Sequence, residues 1–424
     1  MYPFDSLRDI CRVASGRADD VFVGIRVNGS IPEVVFPFGF RMSTTEDEIR
    51  RDIIDFLRLL RKYPVEDSLA PVPVDRGAFR IDSYIFLITQ YLVNPSYMSV
   101  SVENVSQGGD GPVDWNATFR HPGAGSVQNG TLIFPNPLKR RSSVDSNRLL
   151  SSIHQYCVYI SLSRLGWLFT GFVPNKPEID FNIGLFRRVC VDALSNEFND
   201  GKVRTLRSIL DILRSEDDLQ LDLFNFEIGT NRFEYIWEGA IEFVFGNVDR
   251  SEYFPGGTWS LHSTDDSSAN SRQLRASRAL EPDSVMVYDN DVFVIDSKFY
   301  KYSASLGSYD LPGSSDLSKQ ISYSRYASKR APVLLDNFSG RVFNVFILPF
   351  DSLSFSYLNK VNCISIAGQG WPDWITPSNP SDVIVLMLLD TRELLLNAVR
   401  PAGTLRRYLS ESIVAYFNGR TFSE

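Results

Sequence analysis

The sequence predicts an α/β protein in two parts: a C-terminal core with a central mixed sheet flanked by helices, preceded by an α+β region. Three observations point there. The chain has 424 residues, 43% hydrophobic and 13% aromatic, which suits two or three domains with substantial cores and excludes disorder or a coiled coil. Its first half is dominated by long segments with apolar residues at helical spacing. From about residue 230, short apolar runs of strand length alternate with such segments, the pattern of an α/β core. The expected division is 1–225 for the α+β region and 226–424 for the core.

The elements follow in order. Val21 to Val27 and Val34 to Phe38 are short β-rich runs among glycine and proline. Glu46 to Lys62 reads as an amphipathic helix, with Ile49, Ile53, Phe56, Leu57 and Leu60 on one side, Thr44 or Thr45 as N-cap and acidic residues in its first turn. Ala78 to Leu92 is a further buried segment. Gln107 to Gln128, rich in glycine and proline, reads as loops around a strand near Val113 to Phe119. Helices are expected over Asn147–Phe169, Phe181–Glu197 and Val203–Arg214. Helix Phe233–Phe245 leads into a loop, Gly256 to Asn270, rich in glycine, serine and aspartate. Two strands, Ser284–Tyr288 and Asp291–Ile295, come next, joined by Asp289-Asn290, a pair suited to a tight hairpin turn. Helix Ser315–Lys329, buried strands Val342–Pro349 and Val383–Leu389, and helices Thr391–Arg400 and Leu405–Phe417 complete the chain.

Composition narrows the function classes. The 43 basic and 51 acidic residues give a formal charge of -8, against a protein coated in positive charge but compatible with a local nucleic-acid cleft. Cys11, Cys157, Cys190 and Cys363 are scattered without a CxxC, and only His121, His154 and His262 are present. A zinc site or disulfide scaffold is therefore not expected, and any metal should be held by carboxylates. His154 lies among apolar helical positions and reads as a core histidine. The N-terminus is charged throughout, unlike a signal peptide, and runs such as Val383–Leu389 fall far short of the roughly 20 residues of a membrane helix. The expectation is a soluble cytoplasmic protein without membrane contact. GxxxxGK[ST], GxSxG and HExxH are all absent, so P-loop hydrolysis of GTP or ATP lies outside this chain's own means.

The chemistry concentrates between Glu281 and Tyr300. Asp283 opens the first hairpin strand; Asp296 and Lys298 end the second, two residues apart and hence on one face. The hairpin brings Asp283 to the same end. Two carboxylates placed together either share a proton or bind a cation. Mg²⁺ suits them, with Mn²⁺ as a substitute, because it takes carboxylates and water and is completed by substrate phosphate. Lys298 then orients or deprotonates an attacking water, or stabilises charge developing on phosphorus. Glu234, Glu238 and Glu242 form a stripe on the upstream helix, and Glu238, beside Trp237, is the expected third carboxylate.

Pro282-Asp283 with Asp296-Ser297-Lys298 resembles the PD-(D/E)xK nuclease signature. Wider stretches resemble the LlaJI-type restriction endonucleases, relatives of the nuclease subunit of McrBC-type GTP-dependent restriction systems. They are Tyr235-Ile-Trp-Glu-Gly239 with Phe245-Gly246, Tyr253-Phe-Pro255, the Pro282–Tyr300 hairpin and the run from Leu311 to Tyr323. Gly111 to Asn116, Ile153 to Tyr159 and Leu165 to Phe169 are similar as well. Where the family usually has alanine before the lysine this chain has Ser297, and a basic pair common after the N-terminal motif's tryptophan is Asn116-Ala117 here.

The resemblance implies a PD-(D/E)xK core over 226–424 and a Mg²⁺-dependent endonuclease of a prokaryotic restriction or anti-phage system, leaving 5′-phosphate ends on double-stranded DNA. It implies Asp283, Asp296 and Glu238 as metal ligands, Lys298 as the catalytic lysine, and a separate AAA+ GTPase or ATPase as motor partner. It also implies DNA-contacting or supporting roles for Lys319, Gln320 and Tyr323; Lys301 belongs to the same basic segment, with Arg272, Arg275 and Arg278. Lys139-Arg140-Arg141 reads as an exposed loop. Two other readings stay open: a non-catalytic subunit that stimulates an AAA+ GTPase, and an autonomous type II enzyme. Self-association is also open.

Overall fold

The computed structural model describes residues 4–17, 19–28, 31–63, 80–98, 102–107, 112–121, 125–128, 130–143, 145–172, 174–219, 225–261, 272–276, 278–299, 301–302, 311–353 and 360–419. The expected loop Gly256–Asn270 lies largely outside them, as does Tyr300. The chain forms two compact units, one of Gly77–Phe226 and the other of Phe4–Arg76 together with Glu227–Glu424.

The larger unit opens with β1 (Cys11–Val13), β2 (Val23–Asn28), β3 (Ile31–Phe36) and α1 (Glu46–Lys62). Helix α1 starts where Thr45 Oγ1 accepts the Glu48 N–H, with Glu46, Asp47 and Glu48 in the first turn. The sequence-based division groups residues 4–76 with the N-terminal region; here they belong with the C-terminal segment. The reason is electrostatic as well as apolar. Asp52 of α1, its side chain 2% exposed, pairs with Arg392 at 2.9 Å, and Asp55 pairs with Arg400 at 2.7 Å. Lys62 Nζ donates to the Ala398 carbonyl at 2.8 Å. A buried carboxylate needs such a partner.

The smaller unit contains α2 (Ile81–Val93), β4 (Val102–Gln107), α3 (Trp115–Arg120), β5 (Ser126–Gln128), β6 (Thr131–Ile133), β7 (Leu138–Ser143), α4 (Asp145–Leu165), α5 (Ile183–Ser195) and α6 (Asp200–Leu219). The strand expected near Val113 to Phe119 is helix α3 instead, because Asp114 Oδ1 accepts the Ala117 N–H at 2.9 Å and caps a helical turn. Residues 139–141 are not a loop; they lie in β7, paired antiparallel with β4. His154 is a core residue, 4% exposed, whose Nδ1 accepts the Met98 N–H at 2.8 Å. Burial pushes its imidazole down to about 4 from 6.5. Between these values the unfolded chain binds a proton that the folded chain does not. Stability is therefore full above pH 6.5 and falls as pH drops toward 4, by at most about 3 kcal/mol at roughly 1.4 kcal/mol per pKa unit. Urea denaturation across this window checks it: His154→Gln flattens the pH dependence, and parallel profiles for the two proteins refute it.

The chain returns to the larger unit with β8 (Asn225–Thr230), which joins β1, β3 and β2 in a four-stranded sheet. Then come α7 (Phe233–Phe245), the hairpin β9 (Thr258–Leu261) and β10 (Arg272–Arg275), β11 (Ser284–Tyr288), β12 (Asp291–Ser297), α8 (Ser314–Leu334), β13 (Val342–Phe350), β14 (Lys360–Val361), β15 (Ile364–Gly370), β16 (Ile384–Asp390), α9 (Thr391–Val399) and α10 (Thr404–Asn418). A six-stranded mixed sheet runs in the order β11-β12-β13-β16-β15-β14. β12, β13 and β16 are parallel; β11 and β15 are antiparallel to their neighbours. Every residue of β12 and β13 is buried, as expected for strands covered on both faces. Helix α8 covers one face through Tyr323, Ala327 and Ala331, packed with Val285, Val292 and Val294. On the other, Phe417 of α10 meets Phe343 at 5.2 Å between ring centroids. The protein is thus a mixed α/β fold.

The β11–β12 turn positions the chemistry. Asp289 and Asn290 have φ of 47° and 67°, the two left-handed residues of a type I′ turn. Gly340 passes so close to Asn290 that a Cβ there would overlap its carbonyl oxygen. Among the described residues, no helix is long and apolar enough to cross a membrane.

Candidate active site

Two strand ends and two helices build the site. The register pairs Ser284 with Ile295, so Asp283 comes opposite Asp296 one step further along the hairpin. The Lys298 N–H donates to the Ile347 carbonyl at 2.9 Å, which holds the end of β12 against β13. Phe299 then anchors the exit: its ring lies 5.2 Å from Phe233, 5.8 Å from Trp237 and 4.8 Å from Phe38. This aromatic packing ties the strand end to α7, the helix that carries Glu238.

Asp283, Asp296, Lys298 and Glu238 come together. Lys298 Nζ lies 2.6 Å from Asp296 Oδ2 and 3.1 Å from Asp316 Oδ1. Ser297 donates twice to Asp283 Oδ2, from its N–H at 2.7 Å and its hydroxyl at 2.8 Å. Burial, and then the charges of Asp283 and Asp296, push the half-buried Glu238 carboxyl up to about 7 against the opposing pull of Lys298. Burial and Asp283 likewise push Asp296 up to about 6, although Lys298 opposes the shift. Burial alone would lower the Lys298 pKa; Asp296 and Asp316 overcome it and hold the ammonium above its usual range. Beside burial, one contribution is common to all three shifts: the site holds more negative than positive charge.

In donor chemistry that excess fits a hard divalent cation, since the groups offered are carboxylate oxygens. In arrangement the pocket is not closed. Among the described residues, no three Asp, Glu, His or Cys side chains are already gathered around one point. One oxygen of Asp296 is committed to Lys298 and one of Asp283 to Ser297.

The residues expected to touch or support DNA divide by exposure. Gln320 is fully buried and its Nε2 donates to the Val294 carbonyl at 2.7 Å, bracing β12 from α8. Tyr323 is 5% exposed, and burial followed by the charges of Asp296 and Asp283 pushes its hydroxyl up to about 12. A DNA-contacting role for these two does not fit this burial; they stand behind the strand. Lys319 is exposed, as is Lys301, whose Nζ reaches the Ser15 carbonyl at 3.4 Å. Arg275 is in β10, in a hairpin with β9, whose residues are all exposed. Sequence reasoning missed Asp316 as a partner of Lys298. Its only signal was an acidic residue at a helix start. Ser297, which the sequence shows only as standing where the family usually has alanine, holds Asp283 through its hydroxyl.

Comparison with known proteins gives the family of the chain. No curated protein matches the chain. One similar solved structure is a half-complex from a tetradecameric assembly of Thermococcus gammatolerans McrB AAA+ hexamers with bound McrC. It shares 16% identity, with 92% of this chain and 82% of that chain covered and a TM-score of 0.37. A model of the LlaJI restriction endonuclease family matches residues 22–368, most of the chain. This chain therefore belongs to the LlaJI restriction endonuclease family.

Proposed function

We propose that this protein is a Mg²⁺-dependent DNA endonuclease of a prokaryotic restriction system, with a PD-(D/E)xK core in its C-terminal segment and a separate AAA+ NTPase as partner. One observation carries the reading: the hairpin end brings Asp283, Asp296 and Lys298 into a half-buried pocket, where burial and then the two aspartate charges raise Glu238 on a different element. Solvated surface salt bridges do not perturb a neighbouring helix in this way; strongly shifted groups in a shared pocket mark functional sites.

Asp283, Asp296 and Glu238 are the residues to hold the cation. When bound, such a cation polarises a phosphoryl oxygen and makes its water more acidic. Lys298, kept protonated by its carboxylate partners, acts through its charge: it attracts the phosphate and stabilises the negative charge that develops as water attacks phosphorus. This favours the electrostatic role of the lysine over general-base action. Gln320 and Tyr323 hold β12 in place, while exposed Lys319 and Lys301 are placed to meet the DNA backbone. The AAA+ partner rests on the family resemblance and on the lack of a P-loop in this sequence.

Plasmid cleavage tests the reading. Purified protein, with the candidate AAA+ partner and GTP, is expected to linearise or nick plasmid in Mg²⁺ or Mn²⁺ and to stop in EDTA. Cutting without nucleotide or partner would make it an autonomous enzyme. Folded protein that never cuts, with a verified partner, would reduce it to a non-catalytic subunit.

A further inference from the structure

Lys298 occupies a position that interferes with the use of Asp296 as a ligand. Its ammonium sits 2.6 Å from Asp296 Oδ2, and two like charges brought onto one carboxylate repel each other. A second acceptor is already in contact: Asp316 Oδ1, 3.1 Å from the same nitrogen. Asp316 is held in its own right. It lies in the first turn of α8, its N–H donates to the Gly313 carbonyl at 3.0 Å, and its Oδ2 accepts the Gly313 N–H at 3.2 Å. One oxygen thus fixes the side chain to the helix start while the other faces Lys298. The side chains of Lys298 and Asp316 are 16% and 21% exposed, so water screens the pair only in part.

We propose that Asp316 is a positioning residue, the seat that retains the Lys298 ammonium when Asp296 takes up a divalent cation. Without it, Lys298 has Asp296 as its remaining carboxylate contact and competes with the cation for it. The proposal rests on the reading of this pocket as a metal-dependent nuclease site. Asp316 contributes no ligand; it acts through Lys298.

A four-way comparison of Mg²⁺ binding to the full chain, by titration calorimetry without DNA, tests this. The proteins are wild type, Asp316→Asn, Lys298→Met and the double variant. Asparagine preserves size and an acceptor for the Gly313 N–H, and equal thermal unfolding temperatures for wild type and Asp316→Asn confirm that the helix start is intact. Asp316→Asn is expected to weaken Mg²⁺ binding by about tenfold, the usual scale for residues that support ligands. In the Lys298→Met background the same change is expected to have no effect. An equal loss in both backgrounds would overturn the proposal, because Asp316 would then act on the cation through space. So would unchanged affinity in Asp316→Asn. Wild-type protein that binds no Mg²⁺ would instead remove the metal-site reading on which the proposal stands.

Discussion

Asp296→Asn and Lys298→Met are each expected to lower DNA cleavage by at least about 10³-fold, the scale for losing a charged group aimed at a phosphoryl transition state. The two variants should differ in stability. Asp296→Asn removes one carboxylate from a pocket with excess negative charge and keeps the side chain's shape, so the fold should tolerate it well. Lys298→Met removes the ammonium that Asp296 and Asp316 share, at 2.6 and 3.1 Å, and leaves carboxylates facing one another. Their remaining recourse is to bind protons, or a cation. The check is cleavage kinetics beside chemical denaturation. More than a tenth of wild-type activity in either variant would exclude that residue from the chemistry.

Glu216→Leu should destabilise the smaller unit by about 3–5 kcal/mol, the cost of leaving a buried charge without its partner. Arg164 and Glu216 are 0% and 10% exposed at the side chain. The guanidinium bonds both carboxylate oxygens, at 2.6 Å to Oε1 and 3.0 Å to Oε2, and Tyr84 donates its hydroxyl to Oε1 at 2.8 Å. Burial raises the Glu216 carboxyl even so, and Arg164 pulls it back. Replacing both, as Arg164→Met with Glu216→Leu, should recover most of the loss, because an apolar pair of similar volume pays no desolvation. Urea denaturation of the three variants decides it: a double variant no more stable than Glu216→Leu alone would contradict this account.

The legible parts of the fold were those where local sequence and tertiary demand agree. Helices α1 and α7 begin and end where their periodicity says, and the Asp289-Asn290 turn is local chemistry, since its two left-handed residues need no distant partner. The β9–β10 hairpin is not legible in the sequence because β9 is only four residues long and exposed along its length: Trp259 and Leu261 alternate with Thr258 and Ser260, but so short a run does not separate a strand from chance. Helix α3 reads as a strand in the sequence because apolar residues in a short segment carry no period, and the deciding cap at Asp114 is a single side chain.

The sequence by itself determined the chemistry on offer: an acid–acid–lysine set at a hairpin end, an upstream glutamate stripe, and a mixed α/β order of elements. Spacing along one strand and across one turn is covalent geometry, so it can be read without a structure. Only the tertiary structure decided that Gln320 and Tyr323 lie behind the strand, that Ser297 holds Asp283, that Asp316 shares Lys298 with Asp296, and that residues 4–76 belong with the C-terminal segment. These depend on which side chains actually meet, from Ser297 and Asp283, 14 positions apart, to Asp52 and Arg392, 340 positions apart. A buried charge must find a counter-charge, and the sequence does not say where along the chain that counter-charge lies.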